Sequence, residues 1–107
     1  MYSKENLSRI AKLNELAPEA MKAFWAFDKL AVADGAIPAK YKELIAVAVA
    51  VTTQCPYCID AYTRACLEKG SNLGEMTEAV HVVNAIRGGA SLVHGVQMRK
   101  IAEKLSL

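Results

Sequence analysis

The chain has 107 residues, 53% of them apolar and 22% charged, and carries a net charge of +2 at neutral pH. That length fits one domain spanning 1–107, and the apolar content excludes a disordered chain. Basic and acidic residues are interspersed, which leaves no stripe for nucleic acid. The longest apolar run, Leu44 to Val51, is eight residues, far short of the ~20 that cross a bilayer.

Two further expectations come from composition. A chain this small cannot hide so much apolar surface within itself, which favours burial between subunits and predicts a homo-oligomer. The three cysteines, Cys55, Cys58 and Cys66, form an odd count with one tight pair. They point away from a secreted disulfide scaffold and toward a reducing cytoplasm. Met1 to Asn6 has no secretory pattern either.

In chain order, residues 4–17 place Leu7, Ile10, Leu13, Leu16 and Ala17 three and four apart among charged residues. This predicts an amphipathic helix with Ser3 as its cap. Pro18 opens a second helix over about 18–33, whose Phe24, Trp25 and Phe27 read as core or subunit contact. Asp34-Gly35 is the break. From Pro38 to Gln54 the pattern is ambiguous, because Ile45 to Val51 alternates like a buried strand. No second strand exists to pair with it, so a helix buried on nearly all sides is the expectation.

A fourth helix runs from Pro56 to about Lys69 and is stopped by Gly70. Asn72 caps a fifth, with Glu75 completing a capping-box pattern. Gly88-Gly89 reads as a break or a close packing point, followed by a last helix over about 91–105. The expected fold is all-α, a single bundle of about six helices.

The chemistry concentrates in Cys55-Pro56-Tyr57-Cys58. Pro56 lacks an N–H and has φ fixed near the helical value, so it belongs in the first turn of a helix. Cys55 then becomes the N-cap, with both sulfurs near the positive end of the helix dipole, where a thiolate is favoured. Zinc needs four ligands, and Cys66, His81 and His94 stand at spacings that match no common zinc pattern. No metal and no cofactor is expected; dithiol redox chemistry is favoured over a pair of inert thiols.

Glu43, eleven residues, then Cys55-x-x-Cys58 resembles the core of the alkylhydroperoxidase D-like, carboxymuconolactone decarboxylase family. The likeness extends through Ile59-Asp60-Ala61-Tyr62-Thr63-Arg64, Lys69-Gly70, Glu75, Glu78-Ala79-Val80-His81 and Gly88-Gly89, over roughly residues 20–95. It implies an all-α fold and obligate oligomers, trimers or hexamers built from dimers. It also implies dithiol–disulfide chemistry coupled to hydroperoxide reduction, with an external dithiol as reductant.

The family's active pattern ends in a histidine four residues after the second cysteine, and here that position is Tyr62. Glu43, Cys55 and Cys58 match. A tyrosine of ordinary pKa, about 10, cannot replace imidazole as a base near neutral pH. Its hydroxyl can still donate a hydrogen bond to a thiolate. Glu43 alone, or His81 reaching over from the fifth helix, are the candidate substitutes for the base. The helix dipole favours Cys55 as the attacking sulfur, whereas the resemblance implies Cys58, with Cys55 resolving it; we adopt the second. Cys66 and His94 read as bystanders. The alternatives are a lactone decarboxylase and a redox-responsive module without catalysis.

Overall fold

A computed structural model describes residues 5–106, and within them the side chains of all but residues 7, 8 and 11. Ser3, the expected cap of the first helix, lies outside the described residues. Five helices follow one another: α1 (Glu5–Asn14), α2 (Pro18–Val32), α3 (Ala39–Thr53), α4 (Pro56–Glu68) and α5 (Leu73–Leu105). No strand occurs among the described residues.

The ambiguous stretch is helical, and its ends are closed by specific bonds. Pro38 has no side chain to cap α3, and Asp34 does so from across the loop: its Oδ1 accepts from the Ala39 amide at 2.7 Å. At the other end Gln54 takes a left-handed conformation, φ 58° and ψ 39°. The Cys55 amide then reaches back to the Ala50 carbonyl at 3.3 Å, closing a Schellman turn. That turn carries the chain out of α3 and directly into the cysteine motif.

The core is small. Val47 of α3, Cys66 of α4 and Met76 of α5 form it, with Leu44 and Tyr62 packed against them. Cys66 is fully buried, and its Sγ donates to the Glu43 carbonyl at 3.1 Å. α3 is therefore the central element, with α4 and α5 on it and α2 touching it more lightly. Only Ala39, Glu43, Val47 and Ala50, one stripe of α3, are buried. Ile45 and Val49 remain exposed. The expectation of a helix enclosed on nearly all sides is corrected accordingly: within one chain, two helices can cover only one side of a third.

α4 ends at Gly70, which adopts φ +90°. The Asn72–Glu75 capping box is formed, with Glu75 N donating to Asn72 Oδ1 at 2.8 Å and Asn72 N to Glu75 Oε1 at 3.0 Å. Lys40 of α3 ties this corner down through Glu75 at 3.3 Å. From there α5 continues without interruption for 33 residues. The expected break at Gly88-Gly89 is absent, so six expected helices are five. A helical glycine costs about 1 kcal/mol relative to alanine, which a ladder of backbone bonds on both sides absorbs. Nor do the described residues of the chain pack closely here, because a Cβ at either glycine would meet nothing within 4 Å.

At ~1.5 Å per residue, α5 is about 50 Å long, and the chain extends 58 × 37 × 29 Å. Its radius of gyration is 18.9 Å, well above the ~13 Å of a compact chain of about this length. Phe24, Trp25, Phe27 and Leu30 of α2 are exposed, the first two in an edge-to-face pair 5.4 Å apart. Val93, Ile101 and Leu105 of α5 are exposed as well. Among the described residues no helix is long and apolar enough to cross a membrane.

Candidate functional site

Cys55 is the N-cap of α4, with extended backbone (φ −97°, ψ 105°). Its sulfur accepts from the Cys58 amide at 3.3 Å, the bond a serine or aspartate would make there. Pro56 occupies the first turn, where its missing N–H loses nothing. Both cysteines are free thiols and half-buried.

The two sulfurs are not equivalent. The Cys55 thiol is held below its ordinary pKa, first by the Cys58 side chain, which donates to it, then by the Cys58 and Tyr57 amides. Cys58 is pushed up, first because its proton is engaged by Cys55, then by burial and by charge on Cys55. Of the two, Cys55 is therefore the sulfur that gives up its proton more readily. Tyr57 between them is tied to α1, since Asn6 Nδ2 donates to its hydroxyl at 2.7 Å.

Cys58 and Tyr62 stand one turn apart on α4 and line a cavity of about 260 Å³ with Ala46, Val49, Ala50 and Thr53 of α3. The lining is almost wholly apolar, which suits a hydrocarbon-bearing ligand. Tyr62 is raised above its ordinary pKa by burial first, then by the negative charges of Asp28, Cys58 and Glu43.

Glu43 is 5% exposed, and its Oε2 is buried without a hydrogen-bond partner. A solvated first-turn glutamate is thereby excluded. Burial is the main cause raising its carboxyl pKa; Lys69 opposes the shift, and Asp28 and Glu68 add to it. A carboxyl moved in that direction is a better proton acceptor and donor near neutrality than an ordinary glutamate.

The structure thus brings Glu43, Cys55, Cys58 and Tyr62 to one region where α3 meets α4. His81 is elsewhere. It is exposed on α5 and lines a different cavity, of about 430 Å³, with Gln54, Thr52, Asn84 and Arg87. Arg87 closes one side of it by donating to the Thr52 carbonyl at 3.1 Å. His94 is exposed beside Arg87 and Ser91. Cys66 is a core residue, its thiol pushed up by burial and then by Glu43. Among the described residues no group of three potential metal ligands comes together. Asp28 of α2, which sequence reasoning did not single out, acts on Tyr62 and Glu43 through its charge and stands at no spacing that links it to the motif.

Comparison with known proteins agrees with this architecture. The chain is 36% identical over 83 residues to a Paracoccus denitrificans protein named uncharacterized protein 4 in the cox locus, covering 78% of this chain and 75% of that one. A carboxymuconolactone decarboxylase family protein from Legionella pneumophila, solved in its apo form, superposes with a TM-score of 0.73 at 32% identity, covering 97% of this chain and 93% of the other. A protein from Methanobacterium thermoautotrophicum gives the same TM-score at 30% identity, covering 78% and 97%. The sequence profile of one family matches residues 18–99, from the first turn of α2 to near the end of α5. The chain belongs to the carboxymuconolactone decarboxylase family.

Proposed function

We propose that the protein is a thiol–disulfide oxidoreductase that reduces organic hydroperoxides through Cys55 and Cys58. The observation that carries this reading is the position of Cys58, whose amide donates to the Cys55 sulfur at 3.3 Å and whose side chain lines an apolar cavity. A hydroperoxide ROOH enters with its R group against Val49 and Ala46. Cys58 passes its proton to the Cys55 thiolate and attacks the terminal peroxide oxygen. The O–O bond breaks, ROH leaves with a proton, and Cys58 becomes a sulfenic acid. The Cys55 sulfur attacks the Cys58 sulfur, water departs, and the disulfide forms; an external dithiol returns the pair to its reduced state. Glu43, with its raised pKa, is the group suited to exchange the protons of this cycle.

A lactone decarboxylase acting on a carboxylated substrate needs cationic groups around it, and among the described residues none lines the cavity at Cys58. The exposed apolar residues of α2 and α5 favour a homo-oligomer, a trimer or a hexamer of dimers, and the free thiols suit a reducing compartment such as the cytoplasm.

The test is consumption of cumene hydroperoxide with dithiothreitol as reductant. Turnover is expected, lost in Cys58→Ser and kept in Cys66→Ala. No turnover in the parent chain, or equal loss in both variants, would overturn the proposal.

A further inference from the structure

The last carbonyls of α3 need donors from outside the helix. The Ala50 carbonyl accepts from the Gln54 and Cys55 amides as the Schellman turn closes, and the Thr53 hydroxyl adds a bond at 3.2 Å. The Thr52 carbonyl cannot be served in the same way. Its helical partner would be the amide of residue 56, and Pro56 has none. The proline that starts α4 thus leaves a carbonyl of α3 in need of a donor. Arg87 of α5 supplies it: Nη1 donates to the Thr52 carbonyl at 3.1 Å. The last turn of α3 holds no basic residue of its own, so this guanidinium brings a positive charge to the negative end of the helix dipole.

We propose that Arg87 is a positioning residue of the dithiol site: by holding the Thr52 carbonyl it fixes the last turn of α3 against α5, and with it the turn that seats the Cys55 sulfur at the Cys58 amide. The inference rests on the dithiol reading above and adds to it a residue of α5, outside the cysteine motif. Only Thr53 and Gln54 lie between the held carbonyl and Cys55. Gln54 is at φ 58°, a conformation that a non-glycine residue keeps where its surroundings hold it. Once the end of α3 frays, Gln54 is free to leave that conformation, and the Cys55 amide parts from the Ala50 carbonyl. The Cys55 sulfur then drifts from its place 3.3 Å from the Cys58 amide. A thiolate there loses a donor that favours its charged form.

The test is alkylation of the reduced protein by iodoacetamide across pH, with each cysteine resolved by fragment mass spectrometry. Arg87→Met, which removes the donors and keeps an unbranched side chain, is expected to raise the Cys55 midpoint by about half a pH unit. Alkylation of Cys55 at pH 7 then slows about threefold. Arg87→Lys retains a cationic donor of similar reach and should stay near the parent. An unmoved Cys55 midpoint in Arg87→Met would overturn the proposal. So would a shift that disappears in about 1 M salt, because the guanidinium charge would then be acting through space rather than through the Thr52 bond. The fully buried Cys66 thiol is the internal control. If Cys66 becomes reactive in Arg87→Met, the residue merely stabilises the fold, and the proposal falls. Alkylation reads the reduced thiols whether or not the pair cycles. Failed turnover of the parent with the Cys55 shift intact therefore counts against the oxidoreductase reading, and turnover without the shift counts against Arg87.

Discussion

Replacing Glu43 by methionine should make the protein more stable and less active at the same time. The side chain is buried, and one carboxylate oxygen has no partner. An unpaired buried polar group costs about 1–3 kcal/mol, and more when charged. Methionine has nearly the same length, no group to satisfy, and Val47 one turn on along the same buried stripe of α3. At pH 7, Glu43→Met is therefore expected to gain about 1–3 kcal/mol. The gain should depend on pH in one direction. Because the folded-state pKa of Glu43 is raised, the parent's stability from this proton is fully present below the unfolded value, about 4.3. It is lost as pH rises through the higher folded value. The two proteins should thus differ most at pH 7–8 and converge toward pH 4. Urea unfolding at matched protein concentration across that range measures the difference, and dithiothreitol-coupled peroxide consumption measures activity. A variant that is less stable than the parent at pH 7, by an amount independent of pH, would refute the reasoning, since the carboxylate would then be satisfied and structural.

Two further outcomes follow from local geometry. In the parent protein Cys55 should be alkylated at lower pH than Cys58, because hydrogen bonds lower the one and raise the other; the reverse order, read by fragment mass spectrometry, would contradict the assignment of charge. Gln54→Gly should stabilise the chain by about 1 kcal/mol, since Gln54 is the one non-glycine residue at positive φ among those described and glycine adopts that conformation without strain. A loss of stability in urea unfolding would mean that the Gln54 side chain matters more than its backbone.

What could be read from the sequence was what short-range chemistry decides. Pro56 after Cys55 fixed the start of α4, Asn72 with Glu75 fixed the start of α5, and Gly70 marked the end between them. The helical nature of Ile45–Val51 followed from the absence of a partner strand rather than from its own residues. The Gly88-Gly89 pair misled because glycine weakens a helix without being able to end it. Glu43 was identified by spacing, but its burial depends on α4 packing over α3 and could not be seen in its charged sequence neighbours. Asp28 left no trace at all: it is 34 positions from Tyr62, and only the fold brings its charge near enough to act on Tyr62 and Glu43. His81 shows the opposite case, a residue conspicuous in an apolar stretch that the fold leaves in solvent.

The sulfur of Cys55 has two occupations. In the proposed cycle it is the resolving sulfur, and in the structure it is also the acceptor that closes the first turn of α4. Any bond made to that sulfur, whether a disulfide or an adduct, withdraws electron density from the lone pair that the Cys58 amide uses. Under the proposed cycle, oxidation of the pair is therefore expected to weaken the bond that closes the helix start in the reduced protein. Hydrogen exchange at the Cys58 amide is then expected to run faster in the oxidised protein than in the reduced one, a report of redox state that needs no label.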